Sequence, residues 1–377
     1  MKYCSICLNL DTRPNTIFTK EGVCPACDYY SSTREVNWNE RIKLLKNLIK
    51  KFPKFPRRRF DCIIGVSGGK DSLRQALWIR DKLGLRPLLV CLGYPPEQIS
   101  HKGTENLSNL IKEGFDVHTI FLSPKTWRKL TKESFFKFTN LYKHSEMALM
   151  SAVPRMAVNY KIPVIFWGEN PGLQLGDMKT VGSTGYDGNN LKNSNTIAGG
   201  SIDWLLKSGF DEKKVFPFEY PSDNQFKNSK IQIIYCGWFW GDWSFVNNGL
   251  YASLNGLKHR EDNVKNTGDL YGITAIDEDW IIINQMIRYY KFGFGKVSDY
   301  INEEIRIGRI SRDEGIKLVE KYDSVVGTKY LKSFCTYIGI SQKSFWNHVH
   351  KSVNKKLFKI TKDKKIIPKF KVGYGLI

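Results

Sequence analysis

Short runs of apolar residues alternate with amphipathic stretches between residues 60 and 168. The apolar runs are strand candidates at 60–66, 86–94, 116–122 and 162–168, and a further run follows at 230–240. The stretches at 72–84 and 104–114 carry apolar residues at helical spacing. Fully apolar strands separated by helices are typical of a parallel sheet that is covered on both faces. The pattern therefore predicts an α/β fold.

The chain on either side of this region has a different pattern. Residues 1–33 contain polar turns and too few apolar residues for a core, so a metal is expected to fold them. Residues 37–52 place apolar positions at helical spacing with a basic opposite face, which predicts a helix before the first strand. Beyond about residue 277 the pattern predicts helices throughout, and the basic segment 354–365 is predicted to be a solvated tail.

Two smaller signals refine this outline. Ser311 and Glu314 have the spacing of a capping box, which predicts the start of a helix. Residues 168–200 are rich in Gly and Asn and follow the end of a predicted strand. Long loops at that edge of a parallel sheet are usually functional or disordered.

The charge balance limits the classes of partner. Lys and Arg number 58 against 37 Asp and Glu, which gives a net charge of +21. Such a balance indicates an anionic partner, a nucleotide-rich substrate or a basic solvated surface, and charge alone does not choose among them. No apolar stretch reaches the roughly 20 residues of a membrane helix, and the N-terminus lacks a signal-peptide core. We expect a cytoplasmic protein without a membrane span.

The sequence GVSGGKDS, residues 65–72, directly follows the first predicted strand. A Walker A loop would need Gly in place of Ile64 and Ser or Thr in place of Asp71, so that loop is excluded. Gly68 and Gly69 permit positive φ and close backbone approach, and their amides form a nest for an anion together with the following helix. The alternative is a tight glycine turn with a Ser or Asp helix cap.

Polar side chains complete the chemistry of this loop. Ser67 and Ser72 offer hydroxyls to phosphate oxygens, and Lys70 adds a positive charge. Asp71 offers an oxygen ligand for Mg²⁺. The stretch Ser67 to Ser72 resembles the S-G-G-x-D-S signature of the PP-loop ATP pyrophosphatases. The resemblance implies a HUP-like PP-loop fold that grips the pyrophosphate of ATP, transfers AMP to a substrate oxygen and lets a nucleophile displace the AMP.

Four of the eight cysteines are clustered at the N-terminus. The two C-x₂-C pairs are Cys4 with Cys7 and Cys24 with Cys27. This spacing predicts a structural Zn²⁺ held by four thiolates, and the alternative is a set of unrelated buried cysteines. The remaining cysteines are isolated and are expected to be small core residues: Cys62, Cys91, Cys236 and Cys335.

Missing motifs limit which nucleophile can displace AMP. Sulfur insertion usually needs a second thiol constellation, and none follows residue 27. A fused glutaminase would show a nucleophilic cysteine after Met1 or on a strand-to-helix elbow, and neither occurs. Ammonia, if used, should therefore come from a partner subunit. His348 and His350, in a basic helical segment, are expected to have surface roles.

Further blocks of sequence narrow the resemblance. The segments 162–171, 234–243, 287–299 and 303–323 are similar to blocks of the N-acetyl sugar amidotransferase family. This resemblance implies conversion of an acetamido group on a nucleotide-activated sugar to an acetamidino group, in bacterial surface-polysaccharide or flagellin-glycan synthesis. It also implies a partner glutaminase and an ammonia-conducting barrel subunit, which resemble the two parts of imidazole glycerol phosphate synthase.

The family resemblance assigns expected roles at the loop and at the next strand end. Ser67, Gly68, Gly69, Lys70 and Ser72 would hold pyrophosphate, while Asp71 would orient Mg²⁺. Gly168, Glu169 and Asn170 would face the loop across the crevice. Glu169 would bind Mg²⁺ or take the proton lost by ammonia, and Asn170 would bond the substrate amide. The alternative for both is a turn cap. Lys70, Asp71, Glu169 and Asn170 are therefore the catalytic candidates.

Weaker candidates lie in the later blocks. The segment 237–243 departs from the family pattern, so Trp240 and Asp242 either line a sugar pocket or belong to an ordinary core or interface. Tyr290, Lys291 and Lys296 either bind substrate anions or form a packed basic helix end.

The expected organisation has four parts. A zinc module at 1–33 and a linker helix at 34–58 precede a PP-loop domain at 59–265 and a helical region at 266–377. One rival function is a tRNA-modifying PP-loop enzyme, which would use the same ATP site and the basic surface to grip RNA. Another is a non-catalytic scaffold. An anionic nucleotide sugar accounts for the basic charge without nucleic acid, so nucleic acid is not the expected partner.

Overall fold

A parallel sheet forms the centre of the computed structural model, which describes residues 1–52, 60–177, 180, 182, 184–194, 197 and 199–377. Within these residues its strands are β1 (Cys62–Gly65), β2 (Pro87–Gly93), β3 (Asp116–Phe121), β4 (Val164–Trp167) and β5 (Gln232–Tyr235). The order is β3-β2-β1-β4-β5, with every pairing parallel. The predicted α/β fold is confirmed, and each predicted apolar run contains one of these strands.

The strand order reverses beside β1, which lies between β2 and β4. Ile63 of β1 pairs in register with Leu88 on one side and with Ile165 on the other. In such sheets ligands bind outside the carboxyl ends of the strands at the point of reversal. The topology therefore directs attention to the segments that follow Gly65 and Trp167.

Helices cover both faces of the sheet. Those before residue 268 are α1 (Pro25–Ser32), α2 (Trp38–Lys51), α3 (Lys70–Leu83), α4 (His101–Lys112), α5 (Pro124–Phe138), α6 (Lys143–Tyr160), α7 (Pro171–Leu175), α8 (Asp203–Lys207), α9 (Glu212–Val215), α10 (Asp223–Ser229), α11 (Phe245–Leu254) and α12 (Val264–Thr267). The predicted linker helix is α2, capped by the Asn37 side chain on the Glu40 amide. Residues 53–58 of that linker lie outside the described residues.

The sheet buries side chains on both faces. Ile63 and Ile64 are fully buried and belong to cores on opposite sides of β1, as the period-two alternation of a strand requires. Cys62, Cys91 and Cys236 lie in the core that contains Ile64. Cys335 lies in a separate core built by C-terminal helices. These four cysteines are therefore buried, as expected. Among the described residues no helix has the length and apolar character needed to cross a membrane.

The C-terminal region begins with five consecutive helices. They are α13 (Ile281–Phe292), α14 (Lys296–Arg306), α15 (Arg312–Tyr322), α16 (Thr328–Ile338) and α17 (Gln342–Ser352). The predicted capping box is present at the start of α15, where Ser311 and Glu314 each accept from the other's backbone amide. The helical prediction is confirmed up to Ser352.

The prediction of a solvated tail and of helix throughout was wrong for the last residues. The described chain ends in two short antiparallel hairpins, β6 (Phe358–Ile360) with β7 (Ile366–Pro368), and β8 (Phe370–Lys371) with β9 (Gly375–Leu376). Phe358 and Phe370 are buried and stack edge to face with ring centroids 5.5 Å apart. Alternation of apolar and basic residues lets the strands bury one face and leave lysines in solvent. The many lysines in this segment made the period-two alternation hard to see in the sequence.

Candidate active site

The loop after β1 has the conformation that its glycines were expected to provide. Gly68 has φ of +78°, and a Cβ there would lie 2.8 Å from the Leu107 amide nitrogen. Gly68 therefore needs glycine for both its dihedral angle and its close approach to α4. Gly69 precedes α3, and its amide donates to Ser67 Oγ at 3.3 Å. Ser72 Oγ donates to the Gly69 carbonyl at 3.0 Å. The loop thus directs the first turn of α3 toward the crevice.

Lys70 and Asp71 are fixed by a chain of polar contacts. Lys70 Nζ lies 2.5 Å from Asp71 Oδ2, and the Lys70 residue is only 5% exposed. Asp71 Oδ1 accepts from Asn248 Nδ2 at 2.6 Å. Asn248 Oδ1 in turn accepts from Arg74 at 2.6 Å, and Arg74 also binds Asp242 at 2.6 Å. Helix α11 therefore holds the Asp71 carboxylate in place from the side opposite Lys70.

Sequence reasoning missed Asn248 and Arg74. Arg74 follows Lys70 by four residues on α3, so helical spacing gave a signal that both face the same side. Asn248 lies 177 residues after Asp71, and nothing in its surrounding sequence marks it.

The segment after β4 lies against α3, as expected. A Cβ on Gly168 would lie 3.2 Å from Gln75 Oε1 and 3.3 Å from the Asp71 carbonyl oxygen, so glycine allows the two segments to meet. The Gly168 carbonyl accepts from Trp243 Nε1 at 2.9 Å. Glu169 lines the same cavity as Lys70 and Asp71. Burial, and secondly the charge of Asp71, raise the pKa of Glu169 to about 7.

Asn170 is held by backbone groups. Its Oδ1 accepts from the Leu173 amide at 3.1 Å, which caps α7, and its Nδ2 donates to the Gly237 carbonyl at 3.2 Å. The residue is 2% exposed. These contacts match the turn-cap alternative, and a contact between Asn170 and a substrate amide stays a prediction.

The loop faces a cavity of about 160 Å³. The Ser67, Lys70 and Asp71 side of the cavity is polar, whereas Leu149 and Val153 of α6 form an apolar wall. The wall formed by Ile273, Ala275 and Asp277 comes from beyond residue 265, where the sequence predicted a separate helical region. Residues from both sides of that predicted boundary therefore line one cavity.

The wall at 273–277 is tied to the start of α4. Ser100 Oγ donates to the Ile276 carbonyl, and the Ser100 amide donates to the Asp277 carbonyl at 3.0 Å. A Cβ on Gly103 would lie 2.5 Å from Asp277 Cα, so only glycine permits this approach. Burial raises the pKa of Asp277 to about 6. The C-terminal region thus supplies a fixed carboxyl group to the cavity.

Helix α14 brings a second lysine next to the loop. Lys70 Nζ lies 4.8 Å from the centroid of the Phe245 ring, and Lys296 Nζ lies 4.9 Å from the same centroid. Burial, and to a smaller extent the charge of Lys70, lower the pKa of Lys296 to about 8 against the opposing charge of Asp299. Glu303 of α14 accepts from the Phe245 amide at 2.5 Å. Two cations therefore lie within 5 Å of the centroid of one aromatic ring beside the loop.

The other weak candidates lie elsewhere. Tyr290 packs against Phe358 in the C-terminal core, and Lys291 Nζ donates to the Phe138 carbonyl at 3.0 Å. Trp240 is 4% exposed and lies under the Arg74 guanidinium, at 4.5 Å, which matches the core alternative. Asp242 binds that same Arg74.

Each of the two histidines in the helical segment bonds to a backbone carbonyl. His348 contacts the Phe135 carbonyl at 3.0 Å, and His350 contacts the Lys364 carbonyl at 3.1 Å. The described residues that line the loop cavity include neither of them.

The four N-terminal cysteines form a compact, buried cluster. Their Sγ atoms all lie within 4.8 Å of one another, and Cys7 Sγ is 3.7 Å from Cys24 Sγ. A tetrahedral Zn²⁺ with Zn–S bonds of about 2.3 Å requires S–S separations of about 3.8 Å. Backbone amides donate to the sulfurs, as Ile6 does to Cys4 at 3.4 Å and Asn9 does to Cys7 at 3.3 Å. The donor set fits Zn²⁺ in a structural role.

The zinc module, residues 1–33, docks against α7 and α14, which the sequence had left open. Arg306 of α14 donates to the Leu173 carbonyl at 2.6 Å. Burial alone would lower the pKa of Arg306, but the charges of Cys7 and Cys27 raise it. Arg306 therefore offsets the negative charge that four thiolates keep when one Zn²⁺ is bound.

Direct contacts reinforce this interface. The Leu8 amide donates to Asn302 Oδ1 at 2.9 Å, and Arg13 binds Asp299 at 2.6 Å. Both partners are on α14. The same helix therefore contacts the zinc module and carries Lys296 to the loop.

Comparison with known proteins gives a family match for the C-terminal part of the chain. Residues 266–371 match the family model described as the C-terminal domain of WbpG-like LPS biosynthesis proteins. A comparison of the sequence with curated proteins finds no match.

Among the similar solved structures are two synthetases and a tRNA thiolase. NMN synthetase from Francisella tularensis is 21% identical, with a TM-score of 0.27. The match covers 36% of this chain and 56% of the synthetase chain, so this chain spans little more than half of the synthetase. The U34-tRNA thiolase NcsA from Methanococcus maripaludis, with its 4Fe-4S cluster, is 13% identical. The match covers 75% of this chain and 80% of the thiolase chain, with a TM-score of 0.30. NH3-dependent NAD synthetase from Campylobacter jejuni, in complex with the nitrate ion, is 15% identical. The match covers 52% of this chain and 95% of the synthetase chain, with a TM-score of 0.27. Likeness at this level says nothing about the substrate of this chain.

The family match includes residues that build the loop cavity. Ile273, Ala275 and Asp277 lie within the matched range and line the cavity, and Lys296 lies beside Phe245. Residues 266–371 of the chain are therefore similar to the C-terminal domain of the WbpG-like LPS biosynthesis proteins.

Proposed function

We propose that this protein is an ATP-dependent, AMP-forming amidotransferase that converts an acetamido group on a nucleotide-linked sugar to an acetamidino group. One observation carries the proposal: the S-G-G-K-D-S loop faces a wall of the WbpG-like domain across a shared cavity. A loop suited to nucleotide phosphates and a domain of lipopolysaccharide biosynthesis proteins thus form one site. That combination favours activation of a sugar substrate with ATP.

In the proposed reaction, the loop receives the triphosphate of ATP. The amides of Gly68 and Gly69, the start of α3 and the Lys70 ammonium all favour negative charge. Lys296 adds a second cation across the Phe245 ring. Asp71 and Glu169 are the residues that would hold Mg²⁺, which would supply positive charge to the phosphates. Burial, and secondly the charge of Asp71, raise the pKa of Glu169, and a divalent cation would stabilise both carboxylates in their charged form.

The first proposed step activates the amide. An amide carbon is a poor electrophile, and the amide oxygen is a poor leaving group. The acetamido oxygen attacks the α-phosphorus of ATP, and the bond from that phosphorus to the bridging oxygen breaks. Pyrophosphate leaves with the electron pair, and the acceptor becomes a cationic O-adenylyl imidate that keeps the amide proton on its nitrogen. Positive charge from Lys70 and Lys296 stabilises the departing pyrophosphate.

The second proposed step replaces the oxygen by nitrogen. Ammonia donates its lone pair to the imidate carbon and loses a proton, after which the carbon–oxygen bond breaks and AMP departs with the electron pair. The product is an acetamidino sugar. As the alternative to holding Mg²⁺, Glu169, whose pKa burial raises to about 7, would accept the ammonia proton near neutral pH.

Ammonia is proposed to come from a partner glutaminase through a barrel subunit. The cysteines outside the zinc module are buried in the sheet or in the C-terminal core, where a glutamine substrate has no access. A tRNA-modifying function would need a thiol relay. In the described part of the chain, the only group of three or more potential metal ligands that meet closely is the N-terminal cysteine cluster.

The test is a coupled measurement of AMP and product. The protein is incubated with ATP, Mg²⁺ and an ammonium salt together with nucleotide-linked acetamido sugars, and mass spectrometry follows the sugar. We expect AMP release together with a product one mass unit lighter than the substrate. The double variant Ser67→Ala, Asp71→Asn should abolish both signals, while the exposed control Lys332→Gln should retain them.

Three outcomes contradict the proposal. AMP release that depends on tRNA and not on any sugar nucleotide favours the RNA-modifying rival. Unchanged activity in the double variant excludes the loop as the ATP site. Association with partner subunits that persists in the absence of any AMP release favours the scaffold.

A further inference from the structure

Glu303 of α14 is bound to the first turn of α11. The residue is only 4% exposed, and its Oε1 accepts from the Phe245 amide at 2.5 Å. An amide in the first turn of a helix has no acceptor within that helix, so Glu303 supplies one. The rings of Phe245 and of Tyr300, which is also on α14, meet edge to face with their centroids 5.4 Å apart. The start of α11 is therefore fixed on α14 by a hydrogen bond and by ring packing.

A second set of contacts fixes the same turn. Glu304 binds the Arg309 guanidinium with both carboxylate oxygens, at 2.8 Å and 2.9 Å. Arg309 also donates to Ser244 Oγ at 3.1 Å and to Asn247 Oδ1 at 2.9 Å. Ser244 is the N-cap of α11, and its Oγ accepts from the Asn247 amide at 3.0 Å. Two neighbouring carboxylates of α14 thus hold the N-terminal end of α11, one directly and one through Arg309.

Asn248 lies one turn further along α11 and reaches the loop. It follows Phe245 by three residues, so the two share a side of the helix, about 4.5 Å apart along its axis. Asn248 is fully buried, and its Nδ2 donates to Asp71 Oδ1 at 2.6 Å. A displacement of the first turn of α11 would therefore displace the side-chain amide that holds the Asp71 carboxylate.

Packing alone does not account for a carboxyl group at position 303. Its Oε2 is buried and has no hydrogen-bond partner among the described residues. Burial raises the pKa of Glu303 to about 7, against the lowering effect of the Arg306 charge. A buried oxygen without a partner costs free energy that an apolar side chain would not. The contact that the other oxygen makes with α11 explains this carboxyl better than stability does.

We propose that Glu303 and Arg309 are positioning residues that fix the Asp71 carboxylate through α11. With the first turn of α11 held in place, Asn248 keeps that carboxylate in one orientation at the loop cavity. Glu303 and Arg309 both lie within the WbpG-like match, whereas Asp71 belongs to the nucleotide loop. The matched region would therefore set the geometry of a loop side chain that it does not contain.

The consequence of this positioning concerns Mg²⁺, and here the inference rests on the proposed function. Asp71 Oδ2 is bound to Lys70 and Oδ1 to Asn248, and each carboxylate oxygen keeps a second lone pair for a metal ion. Mg²⁺ requires a near-ideal octahedral geometry. A carboxylate that is free to rotate would bind it more weakly than one that is held.

The test is a double-variant cycle that measures binding and not turnover. Isothermal titration gives the affinity of the full-length protein for α,β-methylene-ATP, once with Mg²⁺ and once with EDTA. Glu303→Leu and Asn248→Leu should each weaken binding with Mg²⁺ about tenfold and leave binding in EDTA within about twofold. Because both residues act on Asp71 through one contact, the double variant should lie within about twofold of Asn248→Leu alone.

Three further variants separate positioning from general destabilisation. Glu303→Gln keeps an oxygen that can accept from the Phe245 amide, so it should restore binding to within about threefold of wild type. Arg309→Gln loses the contacts with α11 and should weaken binding with Mg²⁺ about threefold or more. It takes the place of Glu303→Leu in the cycle if that variant does not fold by circular dichroism. The control Asn284→Leu on α13 removes the acceptor of the Leu141 amide and should leave binding unchanged.

Additive effects would overturn the proposal, because a double variant that binds about a hundredfold more weakly than wild type would show that Glu303 and Asn248 act separately. Equal weakening with Mg²⁺ and in EDTA overturns it too, as does an equal loss in Asn284→Leu. Wild-type binding that does not respond to Mg²⁺ overturns it together with the role of Asp71. If the cycle gives the expected result but no sugar nucleotide yields AMP, the proposed function fails while the positioning role stands. If AMP forms and the cycle is additive, the inference alone fails.

Discussion

The half-buried carboxyl of Glu169 is the group through which the loop cavity should respond most clearly to pH. Its pKa lies at about 7 in the folded protein, against an ordinary value of 4.5, chiefly because of burial and secondly because of Asp71. A group whose pKa is raised on folding stabilises the protein fully below the unfolded value and loses that contribution as pH rises through the folded value. The wild type should therefore lose stability between about pH 4.5 and about pH 7 because of this group.

The magnitude follows from the two pKa values. At 1.36 kcal/mol per pKa unit, the full difference corresponds to about 3 kcal/mol, of which about 2 kcal/mol falls between about pH 5.5 and about pH 8.5. Partial exposure of Glu169 to solvent reduces the expected loss over that interval to about 1 to 2 kcal/mol. Glu169→Gln removes the titration and keeps the side-chain size. The variant should therefore gain stability relative to wild type by this amount as pH rises.

The assay is urea unfolding of both proteins at about pH 5.5 and about pH 8.5, without ATP or Mg²⁺. Other buried acids, such as Asp277 and Glu303, occur in both proteins and cancel in the difference. The exposed variant Glu97→Gln serves as a control and should show no pH-dependent difference from wild type. A Glu169→Gln difference that is the same at both pH values would refute the reasoning. In the AMP assay, wild-type kcat/KM should rise through about pH 7, and the Glu169→Gln profile should lack that step.

Three further perturbations test the rest of the site. Asn248→Leu leaves Asp71 and Arg74 without their shared partner, so AMP formation should fall about 10-fold to 100-fold. Circular dichroism should show that the variant keeps its fold. A fall of less than twofold contradicts a positioning role for Asn248. Gly68→Ala should abolish binding of α,β-methylene-ATP. The control Gly84→Ala, also at positive φ but with open space around its Cβ, should only lower stability by about 1 kcal/mol. Equal binding by both variants contradicts the steric argument. Metal analysis should find one Zn²⁺ per chain. The Cys27→Ser variant should lose this zinc, and the control Cys335→Ser should keep it. Zinc that both variants keep contradicts the four-thiolate site.

The parts of the fold that depend on local patterns could be predicted from the sequence. Apolar runs such as 60–66 gave the strands, and the two C-x₂-C pairs gave the cysteine cluster. The glycines of the loop signalled a turn because positive φ at Gly68 leaves few alternatives to glycine. These signals act within a few residues of one another, so no tertiary information was needed.

The parts that depend on long-range packing could not be predicted. Lys296 lies beside Lys70 only because α14 packs against Phe245, and Asp277 reaches the cavity only because Gly103 admits its backbone. Sequence spacing carries no information about such contacts between distant segments. The final hairpins were missed for a different reason, because abundant lysines on the exposed face concealed the alternation that buries Phe358.

The zinc module is connected to α13 and α14 by several polar contacts. Asp299 of α14 accepts from Arg13 of the module at 2.6 Å and from Arg288 of α13 at 2.7 Å. These two charges together with Lys296 outweigh burial and hold the pKa of Asp299 well below the usual range. Thr12 of the module also donates its hydroxyl to the Phe292 carbonyl at the end of α13, at 2.5 Å. Because α14 also carries Lys296 to the loop, a disturbance of the four-cysteine cluster has a direct path to the loop through that helix.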